Sequence, residues 1–294
     1  MNSSFILSCE STADLPYSYM NGRNVSVLFY TYCIDGREYT DDMKRNANAS
    51  AQFYKLLESG KMPKTSQINE YRYEEYFEEL LKKGDVLHIS FGSGMTPSVK
   101  NAERAAETVR ERFPERKITV IDSLCSCAGY GLLVDMVADM RDSGKTLEET
   151  AEYTESIKGK IQHQFFSTDL KYFRRSGRVS GPAAAVASVL GICPIMHLDE
   201  NGKIVAYDKV RGVKNAVQRT VSEVIENADN NKNYNGKFFI AHSNCEDLAK
   251  QTAEQIEKNI KGLKGKIKIF DIGMIIASHC GPGTVAAFFV GSQK

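Results

Sequence analysis

The chain carries almost no net charge: 38 lysines and arginines stand against 37 aspartates and glutamates in 294 residues. A near-neutral protein has no global field with which to gather nucleic acid or an anionic membrane. No Lys/Arg run and no basic-aromatic stripe supplies a local one, so nucleic-acid binding is not expected. The N-terminal stretch MNSSFILSCES lacks the cationic segment and long apolar core of a secretory signal. Cysteines are few and odd in number, seven in all. The one close pair, Cys125 and Cys127, has no second pair or nearby histidine, which is poor zinc spacing. Reduced thiols in a cytoplasmic protein are the expectation. Five scattered histidines show no H-E-x-x-H or similar pattern, so no metal site is predicted.

Phosphate and nucleotide signatures are also missing. There is no G-x-x-x-x-G-K-[ST], hence no lysine to neutralise a triphosphate, and no G-x-G-x-x-G. No cofactor is expected. One long stretch lacks charge: residues 179–198, VSGPAAAVASVLGICPIMHL, which is long enough to cross a bilayer. Pro182, Pro194, Gly181 and Gly191 interrupt it. The reading is a buried helix, PAAAVASVLG, followed by a strand, and no transmembrane segment.

What is present is an alternation of strand and helix patterns. SFILSCE (4–10), DVLHISF (85–91) and KITVIDS (117–123) read as short apolar strands, and NVSVLFYTYCIDG (24–36) as a longer alternating one. Val99, Ala102, Ala106, Val109 and Phe113 recur at three- and four-residue steps, an amphipathic helix. Thr96 is placed to cap it and Pro97 to occupy its first position. Strand, helix, strand, helix implies a largely parallel sheet. In the second half, CPIMHLDENGKIVAYDKV reads as a hairpin about a DENG turn, mixed with the helices KNAVQRTVSEVIENA and CEDLAKQTAEQIEKNIKGL. The chain is long for one core. The fold class is therefore α/β with two domains: residues 1–160 with a parallel sheet, and 161–294 with a mixed or antiparallel sheet.

Four polar clusters stand out. HISFGSGMTPS (88–98) joins a strand, a glycine turn and a helix start, a setting for an anion. Gly92, Ser93 and Gly94 offer one hydroxyl and free backbone N–H groups, which suit a weakly charged head group better than a polyphosphate. PKTSQIN (63–69) places Thr65, Ser66 and Gln67 before a helix, where Ser or Thr is commonly a cap and Glu70 is placed for capping. LKYFRRSGRVSGPAA (170–184) sets Arg174, Arg175 and Arg178 around a glycine turn. IIASHCGPG (275–283) puts His279 after an apolar strand and before a rigid turn at Gly281. By residues alone the reading stops at a small-anion site with an uncommitted histidine. A hydrolase or acyltransferase using Ser93 or Cys280 with His279 stays open, although F-G-S-G is not the G-x-S-x-G elbow.

Taken together, FILSCESTADLP, KTSQIN, HISFGSGMTPS, VIDSLCSCAGYG, LKYFRRSGRVSG, CPIMHLDENGKIVAYDKVRG and ASHCGPG resemble the DegV family in order and spacing along nearly the whole chain. The resemblance implies two α/β domains with a long-chain fatty acid held between them. It implies no catalysis by the carrier itself, which presents the carboxyl group to a separate ATP-dependent fatty-acid kinase that forms an acyl-phosphate. Carried over by position, Thr65 and Ser93 match hydroxyls that hold the carboxylate and His279 the histidine beside it. Arg178 and Arg211 match basic positions on the exposed face where a kinase docks. About 14 buried methylenes contribute roughly 11 kcal/mol at ~0.8 per CH₂ before ordering costs. The uncharged stretch 179–198 is then a tunnel wall. Two departures mark this chain. Many members read S-S-G-L-S-G-T-Y where it has Gly92 to Val99, and Asp-Ser-Thr where it has Glu10-Ser11-Thr12.

Overall fold

The structure, a computed structural model, describes residues 5–180 and 191–292. The first half builds a four-stranded, fully parallel sheet from β1 (Ile6–Glu10), β2 (Val25–Leu28), β6 (Val86–Ser90) and β7 (Ile118–Asp122), in the order β2-β1-β6-β7. Short runs of Val, Ile and Leu suit strands covered on both faces. Between β2 and β6 the chain makes a small antiparallel sheet, β4-β3-β5, from β3 (Thr31–Ile34), β4 (Arg37–Thr40) and β5 (Lys64–Thr65). The helices of this half are α1 (Tyr17–Gly22), α2 (Ala49–Glu58), α3 (Glu70–Leu81), α4 (Ser98–Arg112), α5 (Cys127–Asp142) and α6 (Leu147–Ile157). A capping box of Thr146 and Glu149 starts α6.

The second half forms a seven-stranded mixed sheet. Its members are β8 (Ile161–Ser167), β9 (Val179–Ser180), β10 (Ile192–Leu198), β11 (Ile204–Arg211), β12 (Phe239–His242), β13 (Lys268–Asp271) and β14 (Thr284–Val290). The order is β13-β12-β14-β8-β10-β11-β9, and β10 and β11 pair as the expected hairpin. Helices α7 (Lys171–Ser176), α8 (Val213–Asn227), α9 (Glu246–Asn259) and α10 (Met274–Cys280) complete it. A parallel sheet and a mixed sheet in one α/β chain are what the sequence predicts. Among the described residues no helix is long and apolar enough to cross a membrane. The predicted helix PAAAVASVLG lies, but for its final Gly191, outside the described residues.

Strand alternation splits the apolar residues of the mixed sheet between two cores. Phe166, Ile195 and Val285 face α8 and α9. Their neighbours Phe165, Met196 and Ala286 join a core shared with the parallel sheet. Helix α5 lies in that shared core, touching β8, β12 and β14, and its residues from Cys127 to Val134 are all buried. A helix apolar on every side has no solvent face to give. The inner face of each half is thus closed by the other.

Candidate functional site

In the parallel sheet, register aligns Ser90 with Asp122, and Glu10 ends β1 beside them. Turns leaving this carboxyl edge carry the predicted anion loop. Open parallel sheets present ligand crevices at that edge. A cavity of about 250 Å³ opens here. One wall comes from Thr65, Ser66 and Gln67 at the end of β5, and a second from Phe91, Met95, Thr96 and Pro97 after β6. Ile275, Ile276, His279 and Cys280 of α10 face them, with Arg178 also on the lining. A smaller cavity shares Ser126, Phe173, Ile204, Ile276 and Cys280 with the first and adds Phe165, Leu198, Ala286 and Phe288. The two lie side by side along a line that is polar at the Thr65 end and apolar beyond.

At the polar end, Thr65 Oγ1 and His279 Nε2 are 2.8 Å apart in a hydrogen bond between residues 214 positions apart. Burial, with Arg178 and Arg175 nearby, pulls the imidazole down from its ordinary range to about 4. At neutral pH the ring therefore carries no charge and one N–H. If Nε2–H donates to Thr65, the hydroxyl proton is left to donate elsewhere. That is the arrangement an anionic oxygen selects. Cys280, on the same lining, is buried, and burial pushes its thiol up to about 12. It is a poor nucleophile at neutral pH.

Several local expectations are corrected. His279 lies on a helix, α10, not at a strand end. Seven mostly apolar residues between Gly273 and Gly281 cannot be told from a strand by period. Thr65 is no helix cap: it pairs with Tyr32 in the small sheet, while Asn69 caps α3 by accepting the Arg72 N–H at 2.9 Å. Helix α4 starts at Ser98, with Pro97 in the capping position. The Thr96 hydroxyl only weakly accepts the Ser98 N–H, at 3.4 Å. The segment 24–36 divides into β2 and β3, which belong to different sheets.

Ser93 is exposed and absent from the cavity lining; its N–H donates to Asp122 Oδ1 at 3.0 Å. Ser66 and Gln67 are exposed at the mouth. Gly92 and Gly94 shape the turn from behind. A Cβ on Gly94 would lie 2.3 Å from the carbonyl of Gly202, in the hairpin between β10 and β11. Gly281, at φ +66°, turns the chain out of α10 against the Tyr172 ring. Arg178 stands at the mouth, whereas Arg211 ends the strand that Ile204 begins, about 23 Å away at ~3.3 Å per residue. The two arginines do not meet at one head group. The apolar lining from Phe91, Phe165, Phe173 and Phe288 was not singled out in the sequence, because an apolar tunnel wall and an apolar core read alike.

Fold and cavity define an α/β protein with a parallel and a mixed sheet, whose halves line a largely apolar site with a neutral histidine and a hydroxyl at its mouth. The chain belongs to the DegV family, matching the family described as "uncharacterised protein, DegV family" over residues 6–292. It is 34% identical over 291 residues to a DegV domain-containing protein of Clostridium perfringens, covering 99% of this chain and 98% of that one. A fatty-acid-binding DegV family protein of Streptococcus agalactiae matches at TM-score 0.82 and 29% identity, covering 98% and 99% of the two chains. A DegV family protein of Eubacterium eligens, solved with heptadecanoic acid, superposes at TM-score 0.84 and 21% identity, covering 98% and 100%.

Proposed function

We propose that this protein binds a long-chain fatty acid between residues 1–160 and 161–294 and offers its carboxylate to a separate ATP-dependent fatty-acid kinase. The observation that carries the reading is the Thr65–His279 hydrogen bond at the polar end of an otherwise apolar path. A single carboxylate needs few donors, and a hydroxyl backed by an imidazole N–H supplies one without a buried cation. Arg178 adds positive charge at the mouth. Fatty acids bound by the Streptococcus and Eubacterium proteins support the same ligand class here. Reduced thiols fit a cytoplasmic setting: no disulfide joins the cysteines of the described residues.

The carrier does no chemistry of its own in this reading. Hydrolysis or acyl transfer gains no support from a Ser93 outside the cavity lining or from a Cys280 thiol raised to about 12. Thr65 and His279 carry the head group, and Ser93 contributes at most from the rim. Arg211, remote from the mouth, serves kinase docking.

Native mass spectrometry of the protein purified from cells tests this. The expected result is a non-covalent mass of one long-chain fatty acid, lost with Thr65→Val and largely kept with Ser93→Ala. Arg211→Ala should keep the lipid and slow phosphorylation by a kinase. An empty protein that turns over activated esters would overturn the reading.

A further inference from the structure

Glu10 is fully buried at the end of β1, and five groups converge on its carboxylate. Oε1 accepts from Tyr73 Oη at 2.7 Å, from Ser90 Oγ at 2.8 Å and from His88 Nε2 at 3.1 Å. Oε2 accepts from the Phe91 N–H at 2.8 Å and lies 2.5 Å from Tyr130 Oη. Burial would push this carboxyl up; His88 and the hydrogen bonds from Tyr130 and Tyr73 outweigh it and hold it below the usual range.

These bonds grip both ends of the turn that forms one cavity wall. Phe91 opens the turn and is bound directly. Ser98 closes it, and its hydroxyl lies 3.2 Å from Tyr73 Oη. The Phe91 ring is stacked on Tyr130 with centroids 6.2 Å apart, and Tyr30, also on the cavity, meets it edge-on at 6.2 Å. Backbone and ring of Phe91 are therefore both referred to one carboxylate.

Resting on the fatty-acid reading above, we propose that Glu10 is the positioning residue that sets the width of the acyl-chain cavity. It touches no ligand and acts through Phe91 and the wall formed by Met95, Thr96 and Pro97. An aspartate in its place has an arm one methylene shorter. Keeping the Phe91 N–H bond then draws the wall back toward β1 and widens the path. Glu10 thus favours straight saturated chains over cis-kinked ones, and Glu10→Asp relaxes that preference.

The test is the ratio of affinities for a cis-monounsaturated and a saturated fatty acid of equal length, measured on delipidated full-length protein. A merely structural role weakens both ligands together and leaves the ratio unmoved. For Glu10→Asp the cis-to-saturated ratio is expected to rise at least about threefold, with far-UV circular dichroism unchanged. Tyr73→Phe, which keeps the ring but cuts the tie to Ser98, should move the ratio the same way by less, and carries the test if Glu10→Asp does not fold. A ratio that stays constant or shifts toward the saturated chain overturns the proposal. Wild-type protein that binds neither acid overturns the fatty-acid reading instead.

Discussion

Protonation of His279 gives a quantitative test of how the head-group end is built. The imidazole is taken from an ordinary 6.5 to about 4 by burial and by Arg178 and Arg175. Its folded value is depressed, so its contribution to stability is complete above pH ~6.5, where both states are neutral. As pH falls from there toward 4, the unfolded chain takes up a proton that the folded protein refuses. Each tenfold is about 1.4 kcal/mol, so the loss between those limits is about 3 kcal/mol. Asp41 titrates in the opposite sense. Burial raises its carboxyl to about 6, and the folded state gains relative stability as it protonates. The quantity to measure is therefore the difference between wild type and His279→Gln, which removes only the imidazole. Urea unfolding at pH 7.5, 6.5, 5.5 and 4.5, followed by far-UV circular dichroism because the chain has no tryptophan, should show that difference growing toward wild-type destabilisation as pH falls. NMR titration of the lipid-free His279 ring gives the same answer directly. An imidazole titrating near 6.5, or a difference flat with pH, refutes the account of a desolvated neutral ring bonded to Thr65. Fatty-acid binding should raise the ring's pKa, since a carboxylate beside it favours the charged form.

Three further outcomes follow from particular contacts. Gly94→Ala would force the anion loop off the β10–β11 hairpin; thermal melts should show about 1–3 kcal/mol of destabilisation, typical of overpacking, together with weaker lipid retention. Asp135→Asn should cost about 2 kcal/mol in chemical denaturation, because this buried carboxylate holds Arg23 at 2.8 Å and Lys237 at 2.5 Å, one from each half. In native protein at pH 8, mass-spectrometric thiol mapping should find half-buried Cys33 modified first and Cys280 only on unfolding; rapid labelling of Cys280 would contradict its burial.

The parallel strands and α4 were legible because their residues repeat at the period of the element they form. The same logic fails where an element is short. MIIASHC has too few turns for a helical period to show, so α10 reads as a strand from the sequence. VSVLFYTYCI alternates without a break, although Phe29 and Tyr30 carry the chain from one sheet to another. Thr65 and His279 are separated by 214 positions, and no local pattern joins them. Resemblance to a family assigns both to one head group, whereas local chemistry favours a cap for Thr65. Ser93 illustrates the converse: a serine between glycines looks like a binding hydroxyl. Here the Asp122 carboxylate takes its backbone N–H and the turn presents Met95, Thr96 and Pro97 to the cavity instead. Glu10 left its own trace, a charged residue closing an apolar strand, but what it binds depends on Tyr73, His88 and Tyr130 from elsewhere in the chain.

The polar end of the site exists only when the two halves are docked. Thr65 belongs to the first half and His279 to the second, and each completes the other's hydrogen bonding. The apolar path is likewise bounded by Phe91 and Ser126 on one side and by Phe173, Ile204 and Ile276 on the other. A ligand filling it binds the docked arrangement and not the separated one, so its binding free energy adds to docking by mass action. The same coupling runs backward. Asp135, bridging Arg23 and Lys237, lies away from the cavity lining, and Gly94, pressed on Gly202, holds the turn from behind, next to Met95. Each secures the docking on which the lining depends. Loosening either should therefore weaken lipid binding with the head-group residues intact. For Asp135 the loss should fall on saturated and kinked chains alike, which separates it from Glu10: Asp135 sets whether the site forms, and Glu10 sets its width.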